Sequence, residues 1–296
     1  MKQAKKRIKS PSRQGARKIT KPVDKPLRKF SGRLVLLGVG KMGSAMLDGW
    51  LARGLDPHKL TLLEPRPTKD VKALTRRGVI LNPQGKFLNA TAIVIAVKPQ
   101  SAPEAVWTLE PFVSKSTIVV SIMAGRTLSF LEQALPPGTA VVRSMPNTPA
   151  AIGRGITVAC PNAKVTPRQR KLASDLLAAI GKVEWVGDEG LLDAVTAVSG
   201  SGPAYVFLLA EALAQAGIAA GLPQHLAAKL ARETVSGSGE LLNRSPLDAA
   251  TLRQNVTSPG GTTAAALALL MGERGLAELM EKAVAAATAR SRELAG

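Results

Sequence analysis

Residues 33–50 read RLVLLGVGKMGSAMLDGW. The opening five are apolar after Arg33 and fit a strand at about Arg33–Leu37. The chain then turns through glycines into a run of period 3.6. That run puts Met42, Ala45, Met46, Gly49 and Trp50 near one face, as an amphipathic helix would. A strand, a glycine turn and a helix make the first unit of an alternating α/β pattern.

The alternation continues downstream. KLTLLEP reads as a second strand, DVKALTRRG as a helix stopped by Gly78, and VIL as a third strand. TAIVIAVKP is a continuous apolar run stopped by Pro99, the pattern of a strand buried on both faces. APEAVWTLEPF and TLSFLEQAL read as helices, STIVVSIMAG as another buried strand, and TAVVRSMPNTPA as a strand entering a proline-rich loop. GITVAC and KVEWV complete the strands, with the helix TPRQRKLASDLLAAIG between them. This order predicts a mostly parallel, doubly wound α/β sheet over about residues 31–187. From Asp188 onward the pattern holds helical runs and no strand, so an all-helical domain is expected over 188–296.

Composition limits the remaining possibilities. A chain of 296 residues with 45% hydrophobic residues can bury the cores of about two domains. One cysteine, Cys160, excludes a disulfide framework and a cysteine-built zinc site, and suits a reducing cytosol. Two histidines, His58 and His225, argue against a His-rich metal site. Of the net charge of +19, +11 lies in residues 1–30, which hold twelve Lys/Arg and one acid. That segment lacks apolar periodicity and a secretory-type apolar core, so a disordered basic tail is expected there. No nucleic-acid partner is expected beyond what such a tail offers by charge. The most apolar run, AYVFLLAEALAQAGIAAGL, carries Glu211 and Gln215. It is expected to be a buried helix of a soluble bundle rather than a membrane span.

Five motifs carry chemistry. Gly38-Val39-Gly40-Lys41-Met42-Gly43 follows a strand and opens a helix, the context in which GxGxxG binds a dinucleotide. Gly38 serves the tight turn, Gly40 the approach of a pyrophosphate, Gly43 close packing of the helix, and the helix N-terminus offers its amides. Glu64 and Arg66 end the second strand, twenty-one and twenty-three residues past Gly43. An acid there suits the ribose 2′-OH of NAD and an arginine the 2′-phosphate of NADP, so the cofactor stays open between the two. Ala96-Val97-Lys98-Pro99, Ala124 in SIMAG and Asn147 in RSMPNTPA follow three further strands and would border the same crevice. In AVSGSGPAYVF, Ser201 is expected to cap a helix beginning near Pro203. In SPGGTT, Ser258–Thr263, bare glycine amides and two threonine hydroxyls stand at a helix start, which suits a carboxylate. An elaborate cap is the alternative reading.

Taken in order, GVGKMGSA, AVKP, SxxAG, RxMPNTPA, SGSGPAYVF and SPGGTT resemble the pyrroline-5-carboxylate reductase family, over about residues 31–296. The resemblance implies a Rossmann domain followed by an all-helical domain that dimerises, often within larger rings. It implies reduction of 1-pyrroline-5-carboxylate to L-proline by NADPH or NADH. Ser258, Gly260, Gly261 and Thr262 would then hold the substrate carboxylate, and Thr263 would hydrogen-bond the ring nitrogen. Asn255 and Glu189 stand where the family has residues near the cofactor or substrate. Two features depart from the family: the basic tail, and Glu64, where many members have a small polar residue. Oxidoreductases of the β-hydroxyacid type need a lysine on the first long helix of the second domain, and SGPAYVFLLAEALAQAG has none. A dinucleotide-binding regulator would leave SPGGTT without a purpose.

Overall fold

The computed structural model describes residues 25–84 and 89–295. Its first part runs β1 (Leu34–Leu37), α1 (Lys41–Ala52), β2 (Leu60–Leu63), α2 (Lys69–Ala73), β3 (Ile80–Leu81), β4 (Ala92–Ile95), α3 (Ala102–Trp107), β5 (Ile118–Ser121) and α4 (Leu128–Ala134). It continues through β6 (Ala140–Met145), β7 (Gly155–Pro161), α5 (Pro167–Leu177) and β8 (Gly181–Trp185). The eight strands form one sheet in the order β3-β2-β1-β4-β5-β6-β7-β8. The first six have the doubly wound order, which reverses between β1 and β4. All neighbours are parallel except β6 and β7. Residues 146–154 that join this pair are too few for a parallel crossover, which needs a dozen or more.

Strand alternation divides the core. Leu34 and Leu36 pack with Met46, Trp50 and Leu60 on one face of the sheet. Val35 and Leu37 pack with Ile93, Val106 and Leu131 on the other. The Trp50 indole N–H donates to the Leu176 carbonyl at 2.9 Å and fixes α1 against α5.

Most of the expected basic tail lies outside the described residues, and its last part is not tail. Pro26–Lys29 forms a 3-10 helix, and Leu27 and Phe30 are 2% and 7% exposed within the core. The charge count hid two anchoring apolar side chains. Extending an N-terminal deletion from residue 24 to residue 30 is therefore expected to cost roughly 3–6 kcal/mol, at about 1.5–3 per buried side chain. Denaturant midpoints of the two truncations measure it.

Beyond Trp185 the described residues are helical: α6 (Leu191–Val195), α7 (Gly202–Ala219), α8 (Gln224–Arg244), α9 (Ala249–Asn255), α10 (Thr262–Leu270) and α11 (Leu276–Ala295). A π turn, Thr196–Gly200, joins α6 to α7. Ser201 does not cap α7 with its side chain. Its backbone is already helical (φ −85°, ψ −26°), and its N–H donates to the Thr196 carbonyl at 2.8 Å. The glycines and serines thus mark a widened turn in a continuing rod rather than a helix start.

The expected burial of the apolar helix also fails within one chain. Leu191–Ala219 is long and apolar enough to cross a membrane by length and composition, and none of its most apolar window is buried. Phe207 and Leu208 are 68% and 63% exposed. Within the chain α7 packs chiefly on α8. A helix apolar on all sides needs more cover than one neighbour supplies.

Candidate active site

A cleft of about 690 Å³ opens at the carboxyl ends of β1, β2, β3 and β4. Gly38, Gly40, Glu64, Arg66, Ala96, Val97 and Lys98 all line it. Its far wall comes from α3 and the turns on either side of it, through Ser101, Ala105, Thr108 and Phe112.

The glycine loop is built as a phosphate cradle. Gly38 has φ +91°, and a Cβ there would sit 2.9 Å from the Ala96 backbone, so the turn leaves no room for a side chain. A Cβ on Gly43 would lie 2.3 Å from the Gly38 carbonyl oxygen. At Gly40 a Cβ would meet nothing within 4 Å, so the space over that backbone is open to a ligand. No side chain caps α1 at its N-terminus, beside the cleft, and Lys41, Met42 and Gly43 themselves do not line it. Val39 is buried behind the loop, Lys41 is exposed and Met42 is half-buried. Open space over Gly40 and an uncapped twelve-residue helix fit a pyrophosphate.

Glu64 is held on all sides. One carboxylate oxygen accepts the Val39 N–H at 2.8 Å, the other the Arg66 N–H at 3.0 Å. Asn82 grips the Glu64 backbone: its Oδ1 accepts the Glu64 N–H and its Nδ2 donates to the Glu64 carbonyl, both at 2.8 Å. Asn82 was absent from the sequence-based candidates. Its signal was the Asn82-Pro83 pair after a short strand, a turn signature with an asparagine able to take positive φ.

The remaining candidates lie elsewhere. Pro99 and Ala124 line a second cavity of about 390 Å³, walled opposite by Ser201 and by Ser291 and Leu294 of α11. Asn147 follows β6, and its Oδ1 accepts the Ile156 N–H at 3.0 Å. One Glu189 oxygen accepts both the Arg143 guanidinium and the Leu128 N–H, at 2.7 Å each. Arg143 is buried, so this ion pair braces β6 and α4 against the start of the helical part. Beside it, burial first and the Glu189 carboxylate second push the Cys160 thiol up, which disfavours a thiolate nucleophile.

Asn255, Ser258, Gly260, Gly261, Thr262 and Thr263 line neither cavity. They surround the start of α10. Gly260 has φ +70°, Gly261 is the N-cap residue, and no side chain caps the helix. The N-cap glycine leaves the helix start without a side-chain cap, with the Ser258, Thr262 and Thr263 hydroxyls around it.

A doubly wound sheet with a phosphate cradle at its switch point, followed by a helical part, defines a nicotinamide-dinucleotide oxidoreductase of the Rossmann type. Comparisons make it specific. Residues 189–294 match the model for pyrroline-5-carboxylate reductase dimerisation, and residues 33–125 that for NADP oxidoreductase, coenzyme F420-dependent. A pyrroline-5-carboxylate reductase of Mycobacterium tuberculosis is 40% identical, over 88% of this chain and 96% of that one. The enzyme of Pisum sativum is 36% identical over 91% and 98%. The structure is similar to that of a pyrroline-5-carboxylate reductase from Coxiella burnetii, with TM-score 0.83, 33% identity, and cover of 90% and 100%. It is also similar to the pyrroline carboxylate reductase of Plasmodium falciparum with NADP bound, with TM-score 0.75, 29% identity, and cover of 90% and 99%. The chain belongs to the pyrroline-5-carboxylate reductase family.

Proposed function

We infer that the protein reduces 1-pyrroline-5-carboxylate to L-proline with NADPH or NADH, the closing step of proline synthesis. The observation that carries this is the pairing, in one chain, of an open phosphate cradle at Gly38–Gly43 with an uncapped, hydroxyl-rich helix start at Ser258–Thr263. The first suits a dinucleotide and the second a small carboxylate.

Residues 31–187 form the dinucleotide-binding domain and residues 188–296 the substrate-binding and dimerisation domain. Lys41, Met42 and Gly43 present backbone amides to the pyrophosphate, Lys98 and Pro99 border its nicotinamide half, and Ala124 and Asn147 flank the ring. Bound there, the reduced nicotinamide supplies a hydride. Ser258, Gly260, Gly261 and Thr262 hold the substrate carboxylate at the positive end of α10. Thr263 hydrogen-bonds the ring nitrogen and keeps the imine protonated, so that its carbon is electrophilic. Asn255, at the end of α9, supports this loop. A protonated imine needs little further acid–base help; its orientation and a dry site do most of the work. Two histidines therefore suffice for a chain of this activity.

Neither the cleft nor the cavity beside Ala124 reaches the α10 loop, which is flanked instead by a cavity of about 420 Å³ between α9 and α10, and α7 is left apolar and bare. The protein works as a homodimer or larger ring, with α7 in the shared face and the loop of one protomer closing the cleft of its partner. This burial accounts for the apolar run without a membrane, and an enzyme of this kind acts in the cytoplasm.

Oxidation of NADPH and NADH by pyrroline-5-carboxylate tests the reading. Turnover with proline as product is the expected result. Cofactor binding with no turnover would leave the Rossmann class standing and overturn the substrate. In the same assay Arg66→Ala is expected to raise KM for NADPH by roughly tenfold or more while changing that for NADH little, the worth of one charge-assisted phosphate contact. An unchanged ratio would remove Arg66 from the 2′-phosphate.

A further inference from the structure

The proposed reaction uses the carboxyl ends of the strands, and the opposite edge of the sheet has a different character. A cavity of about 380 Å³ lies there, lined by the 3-10 helix at Pro26–Lys29, by Thr91 just before β4, and by Arg168 and Lys171 of α5. Lys25, Arg28, Lys29, Arg168 and Lys171 are all exposed cations. Lys171 is paired with Asp175 at 2.7 Å. Among the described residues the other four have no ion pair. Lys25 and Arg28 lie along the end of α1, where a Cβ on Gly54 would meet their side chains at 3.0 and 3.5 Å.

This cluster is fixed to the core. Leu27 and Phe30 are buried, the Leu27 N–H donates to the Arg53 carbonyl at 3.3 Å, and the Lys59 ammonium donates to the Phe30 carbonyl. Residues 1–24, which precede it, hold nine Lys/Arg against one acid. The most basic segment of the chain is therefore rooted on an edge that is itself basic. Like charges gathered in one place repel, and a polyanion relieves that repulsion.

The residue types select among polyanions. Residues 1–24 contain no Leu, Phe, Trp or Tyr. Leu27 and Phe30, which follow, are spent in the core. A segment that lies on a membrane needs such side chains to enter the acyl boundary. A nucleic-acid duplex needs only cations to neutralise its phosphates.

We propose that the amino-end edge of the sheet, with Lys25, Arg28, Lys29, Arg168 and the basic segment rooted there, binds the phosphate backbone of a nucleic-acid duplex without regard to sequence. The dinucleotide cleft stays free, because it opens at the other ends of the strands. The inference depends on neither the imine nor the dinucleotide.

The full chain is titrated into a fluorescein-labelled DNA duplex of about thirty base pairs, and anisotropy is followed over a series of KCl concentrations. Binding in roughly the micromolar range is expected at about 0.15 M KCl, equal within about twofold for two unrelated sequences. The logarithm of the affinity should fall against that of salt with a slope of about −6, the release expected from about seven phosphates. Removing residues 1–24 should weaken binding by about tenfold or more and make the slope shallower by about 3. Lys29→Ser with Arg168→Ser in the full chain removes two anchored cations and should make the slope shallower by about 2. The denaturant midpoint and NADPH affinity of that variant should stay at the wild-type values. No binding at that salt, or a slope unmoved by the deletion, would overturn the proposal. A slope unmoved by the double substitution would overturn the part given to the anchored edge. Sedimentation with vesicles of phosphatidylserine and phosphatidylcholine at the same salt, with the duplex left free, would assign the surface to a membrane and overturn the nucleic-acid partner.

Discussion

Thr263→Ala is expected to lower turnover of pyrroline-5-carboxylate by roughly a hundredfold or more while the dissociation constant for NADPH changes less than about twofold. The separation follows from place. Thr263 stands in the first turn of α10, half-buried, and lines neither the dinucleotide cleft nor the cavity beside Pro99 and Ala124. No side chain caps α10, so loss of this hydroxyl removes no cap and the helix should form unchanged. On the proposed reading, what it removes is the bond to the ring nitrogen, which both orients the imine carbon and favours its protonated form. Misorientation alone costs a hydride transfer heavily, because the reaction requires near-contact along one line. Thr263→Ser keeps the hydroxyl and should retain most of the activity. Stopped-flow turnover and a fluorescence titration of NADPH separate the two quantities. Parallel loss of both would place Thr263 at the cofactor and withdraw it from the imine.

The α/β half was legible because its signals are local. Apolar runs such as Ala92–Ile95 and Ile118–Ser121 are buried on both faces, and such strands show in sequence as unbroken hydrophobicity. The glycine loop was legible because Gly38 and Gly43 answer steric demands that no other residue meets, while Gly40 leaves the space over its backbone open. Other features depend on partners distant in sequence. Leu27 and Phe30 look like incidental apolar residues in a basic tail until the core that receives them exists. Ser201 has the composition of a cap, but the π turn before it continues the rod, and a backbone register of that kind leaves no mark in side-chain pattern. Asn82 acts through its amide on a residue eighteen positions away. The apolar α7 was expected to be buried, and within one chain it is not, because apolar composition does not distinguish cover from the same chain from cover supplied outside it.

That last point gives the other large effect. Phe207→Glu is expected to convert the assembly to monomers and to reduce turnover by roughly a hundredfold or more, with ADP-ribose binding unchanged within about twofold. Phe207 and Leu208 stand on a helix with no buried residue in its eighteen, 68% and 63% exposed in the isolated chain. Such a face is stable in water only when covered, and a carboxylate placed there must be desolvated, or both protomers must lose the contact. In a twofold interface the substitution enters twice, so two like charges approach each other. The cleft at Gly38–Gly43 belongs to one chain and needs nothing from α7, so dinucleotide binding should persist. Turnover should not if, as proposed, Ser258–Thr263, which line neither the cleft nor the cavity beside Ala124, serve the nicotinamide of the partner. Light scattering after size exclusion reads the mass, and NADPH oxidation reads the rate. A monomer that turns over at the wild-type rate would mean that each chain completes its own site. An unaltered oligomer would remove α7 from the shared face, and the bare helix would then need a different cover.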